Sequence, residues 1–533
     1  MKLHLNAIDI AILVATLAAT LFVGIWSGRR VTSDSAKGYF LASGRMPWWI
    51  IGSAFVSTSV SSEQIIGTVG AAYSHGMGIA NWEWFALPIN TLLIAFFIPI
   101  YLKNKVATVS ELLNRRFGPL CADLYSWVML LAYVFVFLTP VLYGSSLAIS
   151  ALTGFNFYAV LWLTVAGVGA YAIKGGLSAV MWTDAIQCLF LIVGGMILFF
   201  VALSHVPGGW GAMQAAAPER FHLYHPPSDE IAPFLGLVMG AVGVFLFYNA
   251  GNQVMVQRVL AARTPWDGIM GIIFAGFINL VRPLVTCFLG FIVYHWTHVM
   301  KASPVLENAD MAFPFALQNY APSWGLRGIV LAGFMAAVMS TVSALSNSAA
   351  TVFSLDVYQK FVRREASDKQ LVLVGRAASA VTLILAGLCA PSIARLGGIF
   401  EFFQTGVTYL ATPFISVLLM GILWRRTNYT GAIAGIIGGL VIQVGLALAN
   451  GRLSWNLHWL YVAFAAQVLT MCLTAIVSAL SRDTRTPQTD AFIWTPSLLG
   501  GLMRLSGRPW YQSAGLWFGV YAALWVTLYY YFW

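Results

Sequence analysis

The chain reads as a series of long apolar runs divided by short polar connections. A helix needs about 20 mostly apolar residues to cross a bilayer. Fourteen such runs follow one another: 6–28, 47–73, 77–102, 121–150, 157–173, 178–204, 232–256, 268–298, 326–356, 370–393, 397–424, 429–450, 458–481 and 513–533. The longest connections, 205–231, 299–325 and 482–512, are rich in Pro, Ser, His and Trp and leave no room for a soluble domain. Tryptophans such as Trp48, Trp49, Trp82, Trp84, Trp424 and Trp459 gather at run ends, where amphipathic rings meet the membrane–water interface. The pattern predicts an all-α polytopic membrane protein with about fourteen transmembrane helices, forming one domain over 1–533.

Two runs break the pattern. In the first, Ser53, Ser57, Thr58, Ser59, Ser61 and Ser62 crowd the middle of 47–73 and are followed by Glu63 and Gln64. A carboxylate at membrane depth costs a few kcal/mol or more, so it faces a cavity or a partner. Glycine and hydroxyl residues let a helix unwind there and turn backbone carbonyls toward a cation. The alternative is a loop or a helix end at the interface. In the second run, Asn249, Asn252, Gln253 and Gln257 recur beside Gly251. The two runs lie five spans apart, and corresponding broken helices in two halves point to a transporter with an inverted repeat and a midplane site. Two unrelated glycine-rich helices would look the same.

Composition agrees: the 533 residues are 59% hydrophobic and 9% charged, with mean hydropathy +0.79, against about 25% charged residues in soluble domains. The net charge of +10 would suit nucleic acid or an acidic substrate if it were clustered. Instead it marks topology. Counting Lys and Arg in alternate connections, beginning with 29–46, gives 21 on one side and 6 on the other. The positive-inside rule puts the first set in the cytoplasm and both termini outside it. Within the basic set, Val109–Gly118 reads as a short amphipathic helix on the cytoplasmic surface. The cysteines, Cys121, Cys188, Cys287, Cys389 and Cys472, show no metal spacing and read as small packing residues. The first run is longer than a signal-peptide core and reads as a retained helix.

The membrane-depth polar residues form a few groups. Glu63, Gln64 and Glu83 suit a ligand that offers hydroxyls, since each can accept or donate several bonds. A structural ion pair for Glu63, and an interfacial position beside Trp82 and Trp84 for Glu83, are the alternatives. Asp184 needs a cation or a basic partner. Ser340, Thr341, Ser343, Ser346 and Asn347 make a polar face in 336–348. Hydroxyls of Ser340 and Thr341 with carbonyls of Ser57, Val60 and Ala337 would make a five-oxygen cage for Na+; close helix packing by small residues is the competing explanation. Arg282 either pairs with an intramembrane acid or meets an anionic group of a solute. Gln404 and Glu401 are further polar residues at depth. No phosphate-binding loop, zinc-protease or serine-hydrolase motif occurs, so an enzyme is not expected.

At these residues the chain resembles the sodium/solute symporter family, the group of the sodium–glucose cotransporters. The likeness runs through Gly38–Trp49, Ser61-Ser-Glu-Gln64, Tyr171–Ala179, Asn347–Tyr358 and Gly421–Val441. It implies a LeuT-like 5+5 inverted repeat over 47–204 and 232–424, with flanking helices and 429–533 peripheral. It implies Na+ at Ser57, Val60, Ala337, Ser340 and Thr341, and in some members a second Na+ at positions matching Asp184, Ser340 and Ser343; the third serine of that set is Ala344 here. Sugar-contacting positions map onto Gln64, Glu83, Asn252 and Gln404. A family serine is Ala86 here, and the family's sugar-contacting lysine falls near Asn279, with Arg282 close by. The expectation is a Na+-coupled symporter in the cell (plasma or inner) membrane that imports a sugar or sugar-like solute by alternating access. The alternatives are a symporter of a carboxylated solute such as sialic acid, with Arg282 as the anion contact, and a passive channel or solute sensor.

Overall fold

A computed structural model describes residues 5–30, 35–229, 232–322, 325–395, 399–482, 486–503 and 509–533, and these are helical with short connections. The main helices are α1 (Ala7–Arg30), α2 (Trp48–Ser59), α3 (Ser62–His75), α4 (Met77–Asn104), α5 (Pro119–Ser150), α6 (Phe157–Ser204), α7 (Phe234–Gly251) and α8 (Gln253–Leu260). They continue with α9 (Pro265–Val281), α10 (Pro283–Val299), α11 (Leu326–Val362), α12 (Asp368–Ile393), α13 (Ile399–Leu423), α14 (Tyr429–Arg452), α15 (Trp459–Leu480) and α16 (Ala514–Phe532).

Among the described residues, ten helices are long and apolar enough to cross a membrane, or eleven with the bent pair α9–α10. Helix α6 holds two of the expected runs and turns at Gly176 (φ 58°, ψ −157°), where a Cβ would lie 2.5 Å from Tyr39 O. Glycine alone accepts both that dihedral and that contact. Separating α6 there, and adding the broken pair α2–α3 and the aromatic α16, yields the fourteen spans the hydropathy pattern predicts. The segment after α4 also folds as expected: Val109–Arg116 is helical, capped by the Thr108 side chain, which accepts from Glu111 N.

Both interrupted runs break, and they break alike. Between α2 and α3, Val60 is extended (φ −110°, ψ 119°). Between α7 and α8, Asn252 takes nearly the same conformation (φ −98°, ψ 124°). Helices α9 and α10 meet at Arg282-Pro283 with a bend of 42°. Proline has no amide N–H to continue the helix and clashes with the preceding turn, which accounts for the bend. The bent pair follows the broken pair. Gly52 of α2 and Gly271 of α9 are in close approach, and Gly290 of α10 lies where a Cβ would meet Val69 O of α3 at 2.3 Å.

Candidate functional site

The break at Val60 leaves carbonyls without donors from the next turn. Helix α11 crosses there. The Thr341 hydroxyl lies 3.2 Å from Thr58 O, 3.1 Å from Val60 O and 3.2 Å from Ala337 O. One hydroxyl carries one proton, so two of the three carbonyls cannot receive it at once. The surplus of oxygen lone pairs is the donor set a hard cation takes. The buried Ser57 hydroxyl has no hydrogen-bond partner among the described residues, while Ser57 O accepts from Val60 N at 3.4 Å. Of the five predicted ligands, Val60, Ala337 and Thr341 therefore converge. Thr58 O joins them on the side expected of Ser57, and Ser340 turns away to donate to Asp184 Oδ1 at 2.6 Å.

Asp184 has a built-in cation. Arg258 of α8 reaches Asp184 Oδ2 at 2.8 Å, with both side chains fully buried, and Thr58 adds a bond at 3.3 Å. Arg258 Nε donates to Ala54 O at 3.2 Å, and its Nη1 donates to Val254 O. Helices α2, α6, α8 and α11 are thus joined by one charge pair. Ser343, grouped with Asp184 and Ser340 as a second sodium set, donates instead to Ser340 O of its own helix at 3.0 Å. The 21 basic residues counted in the cytoplasmic connections include Arg258, which is instead fully buried. The buried stripe of Gln253, Gln257 and Arg258 was the available signal against that count, because an exposed helix end would alternate polar and apolar faces.

A cavity of about 130 Å³ opens beside the break, lined by Gln64, Glu83, Asn249, Asn279, Arg282 and Thr341 among others. Because Thr341 belongs to both, the cavity and the cation cluster share a wall. Glu83 is fully buried. Its Oε1 accepts from Thr286 at 3.2 Å and Gln64 at 3.4 Å, and its Oε2 pairs with Arg282 Nε. Arg282 Nη1 donates to Ser59 Oγ at 2.9 Å. Of the two roles open to Arg282 from sequence, the structure shows the pairing, with Glu83 as its acid. Among the described residues, Asn279 lines the cavity with Oδ1 unpartnered, and so does Asn90 with Nδ2 unpartnered, a residue not foreseen. Ala86, in place of a family serine, is also in the wall.

Asn252 sits at the second break, outside the cavity wall. Its Oδ1 accepts from Tyr133 at 2.7 Å and from Val254 N at 3.2 Å, capping α8, while its buried Nδ2 has no partner among the described residues. Tyr101 donates to Ala250 O and Tyr125 to Gly251 O, the latter at 2.8 Å. Three buried tyrosines from α4 and α5 therefore satisfy the second break, where a threonine and a cation-type cluster serve the first. Nothing in the spacing of those tyrosines marks that role. The side chains of Glu63 and Gln404 lie outside the described residues.

A solved structure of a Na+-coupled sialic acid symporter in a substrate-bound outward-open state matches with TM-score 0.80 at 22% identity, covering 90% of this chain and 99% of that one. At that identity the likeness is one of fold, the LeuT-like 5+5 inverted repeat with flanking helices. The sodium/glucose cotransporter of Vibrio parahaemolyticus is 32% identical over 503 residues, covering 90% of this chain and 92% of the relative. The sodium/myo-inositol cotransporter of Mus musculus is 30% identical over 536 residues, covering 90% and 74%. With residues 39–439 also matching the profile of that family, the chain belongs to the sodium:solute symporter family.

Proposed function

We propose that the chain is a Na+-coupled symporter in the cell membrane that imports a neutral, polyhydroxylated solute, a sugar or a cyclitol, by alternating access. The carrying observation is the charge balance of the cavity. Arg282 is already matched by Glu83, so the wall presents amides and a cancelled ion pair, a surface suited to hydroxyls and not to a net charge. Relatives named for glucose and for myo-inositol support the same class. Sodium binds at the α2–α3 break through Thr58, Val60, Ala337 and Thr341, with Ser57 and Ser340 completing the set when the ion draws them in. Gln64, Glu83 and Asn279 meet the solute, and Asn252 joins them if the second break shifts toward the cavity. Since Thr341 belongs to both sites, sodium orders the wall that the solute needs, and the coupling runs equally in both directions. The repeats span 47–204 and 232–424, and both termini lie outside the cytoplasm.

A second reading, transport of a carboxylated solute, draws on the presence of Arg282 in the cavity wall. It requires Arg282 to leave Glu83 for the solute. Proteoliposomes with an imposed Na+ gradient separate the two. Labelled glucose, galactose or myo-inositol should accumulate above equilibrium and collapse with the gradient. Gradient-driven uptake of sialic acid or glucuronate, with the neutral panel inert, would overturn the proposal, and uptake indifferent to Na+ would remove symport.

A further inference from the structure

Helix α16 carries Tyr521, Trp525 and Tyr529 at i, i+4 and i+8, so the three share one face. That face lies against the back of the solute cavity. Tyr521 and Tyr529 are buried, whereas Val526 and Tyr530 on the opposite side are exposed. The Tyr529 hydroxyl donates to Asn81 Oδ1 at 2.7 Å, and Trp525 Nε1 donates to Trp84 O at 2.5 Å. These two bonds bracket Glu83. The rings of Trp525 and Tyr529 stack with centroids 3.9 Å apart, so the two anchors form one unit. Higher on the stripe, Tyr521 is buried against α9, the helix that carries Asn279 and ends at Arg282. Neither the Tyr521 hydroxyl nor Asn90 Nδ2 has a hydrogen-bond partner among the described residues. The Tyr521 ring is seated at Gly276 of α9, where a Cβ would lie 2.6 Å from it. Trp84 Nε1 closes the frame by donating to Leu280 O of α9 at 3.0 Å.

We infer that α16 is a positioning element of the solute site, its aromatic stripe holding Glu83 and Arg282 in mutual register. Glu83 lies in the first turns of α4, just before Phe85 departs from helical geometry (φ −67°, ψ 1°). Tyr529 and Trp525 tie the two ends of that turn, and Tyr521 packs on α9, which ends at its ionic partner Arg282. The inference rests on the solute reading above.

The test is the double variant Tyr521→Phe/Tyr529→Phe, which keeps both rings and their packing and removes both hydroxyls. Losing the Tyr529–Asn81 bond together with the buried Tyr521 hydroxyl should raise the KM for the transported solute about three- to tenfold. Binding of labelled Na+ without solute, and the melting temperature in detergent, should stay at wild-type values. Amide hydrogen exchange of 81–92 should speed up in the variant. Unchanged KM together with unchanged exchange would overturn the inference. So would a parallel fall in Na+ binding and melting temperature, the mark of a general packing role. Should the wild-type protein concentrate no member of the sugar and cyclitol panel, the solute reading fails, while the exchange measurement still decides whether α16 positions the turn.

Discussion

Glu83 and Arg282 cancel each other at the wall of the cavity, and selectivity follows from that cancellation. In Glu83→Gln the side chain keeps its size while Arg282 loses its counter-charge. Removing one partner of a buried pair costs about 3–5 kcal/mol, and a carboxylate on the solute would recover part of it. Neutral-sugar uptake should fall at least about tenfold, and glucuronate, inert toward wild type, should now compete; a variant that loses both classes alike would speak against this account. Thr341→Ala should raise the Na+ concentration for half-maximal uptake about five- to twentyfold, the order expected for one lost oxygen ligand, and a flat Na+ dependence in uptake assays would displace the site. At Asp184 and Arg258 the single changes Asp184→Asn and Arg258→Met should each destabilise by about 3–5 kcal/mol, and the double change by less than their sum, read by unfolding in detergent. Much of this was legible beforehand. Val60, Ala337 and Thr341 are readable because hydroxyls and an unwound helix at membrane depth have few other uses. The entry of Thr58 O beside them was not, since it depends on where α2 releases its last turn. Arg258 was hidden because hydropathy sees only the end of an apolar run, not the acid waiting inside.

Between elements, the broken helix is carried by a bent one. The 42° bend of α9–α10 falls at Arg282, which bonds Ser59 at the end of α2, so bend and break are held together by one guanidinium. On either side of that point glycines bring the backbones into contact, and a Cβ on Gly290 would lie 2.3 Å from Val69 O. Gly290→Val should therefore push α3 away from α10. The expected loss is about 1–3 kcal/mol or more of stability with a lowered uptake rate, measured by melting in detergent and initial-rate transport; a variant as stable as wild type would show that α3 has slack the packing does not suggest. The breaks themselves were readable, because serines at one and amides at the other sit where lipid-facing helices carry none. That a tyrosine trio holds the second break was not, since Tyr101, Tyr125 and Tyr133 are ordinary residues in apolar runs until the fold gathers them.

Across the whole molecule, each of the fourteen apolar runs is mainly helical over its described residues, and ten helices, or eleven with the bent pair, are long and apolar enough to cross a membrane, because a bilayer imposes a length on every crossing and that length is written in the hydropathy. Pattern and helices part in both directions: runs 47–73 and 268–298 each divide into two helices, while in α6 two runs join across the turn at Gly176. The charge asymmetry predicts that a reporter fused after Trp533 faces away from the cytoplasm. Alkaline phosphatase placed there should be active and a fluorescent protein exported through the general pathway dark; the opposite pair would invert the topology. The two arginine–carboxylate pairs also bear on the electrical behaviour of the carrier. Asp184 and Glu83 each bring their own neutralising charge, so an empty carrier turning between its two faces moves almost no fixed charge at these depths. The electrical work is confined to the sodium-loaded leg, where each elementary charge is worth about 2.3 kcal/mol per 100 mV. On these two pairs, voltage should act mainly on the sodium-loaded leg, so capacitive charge movement recorded without Na+ should be small.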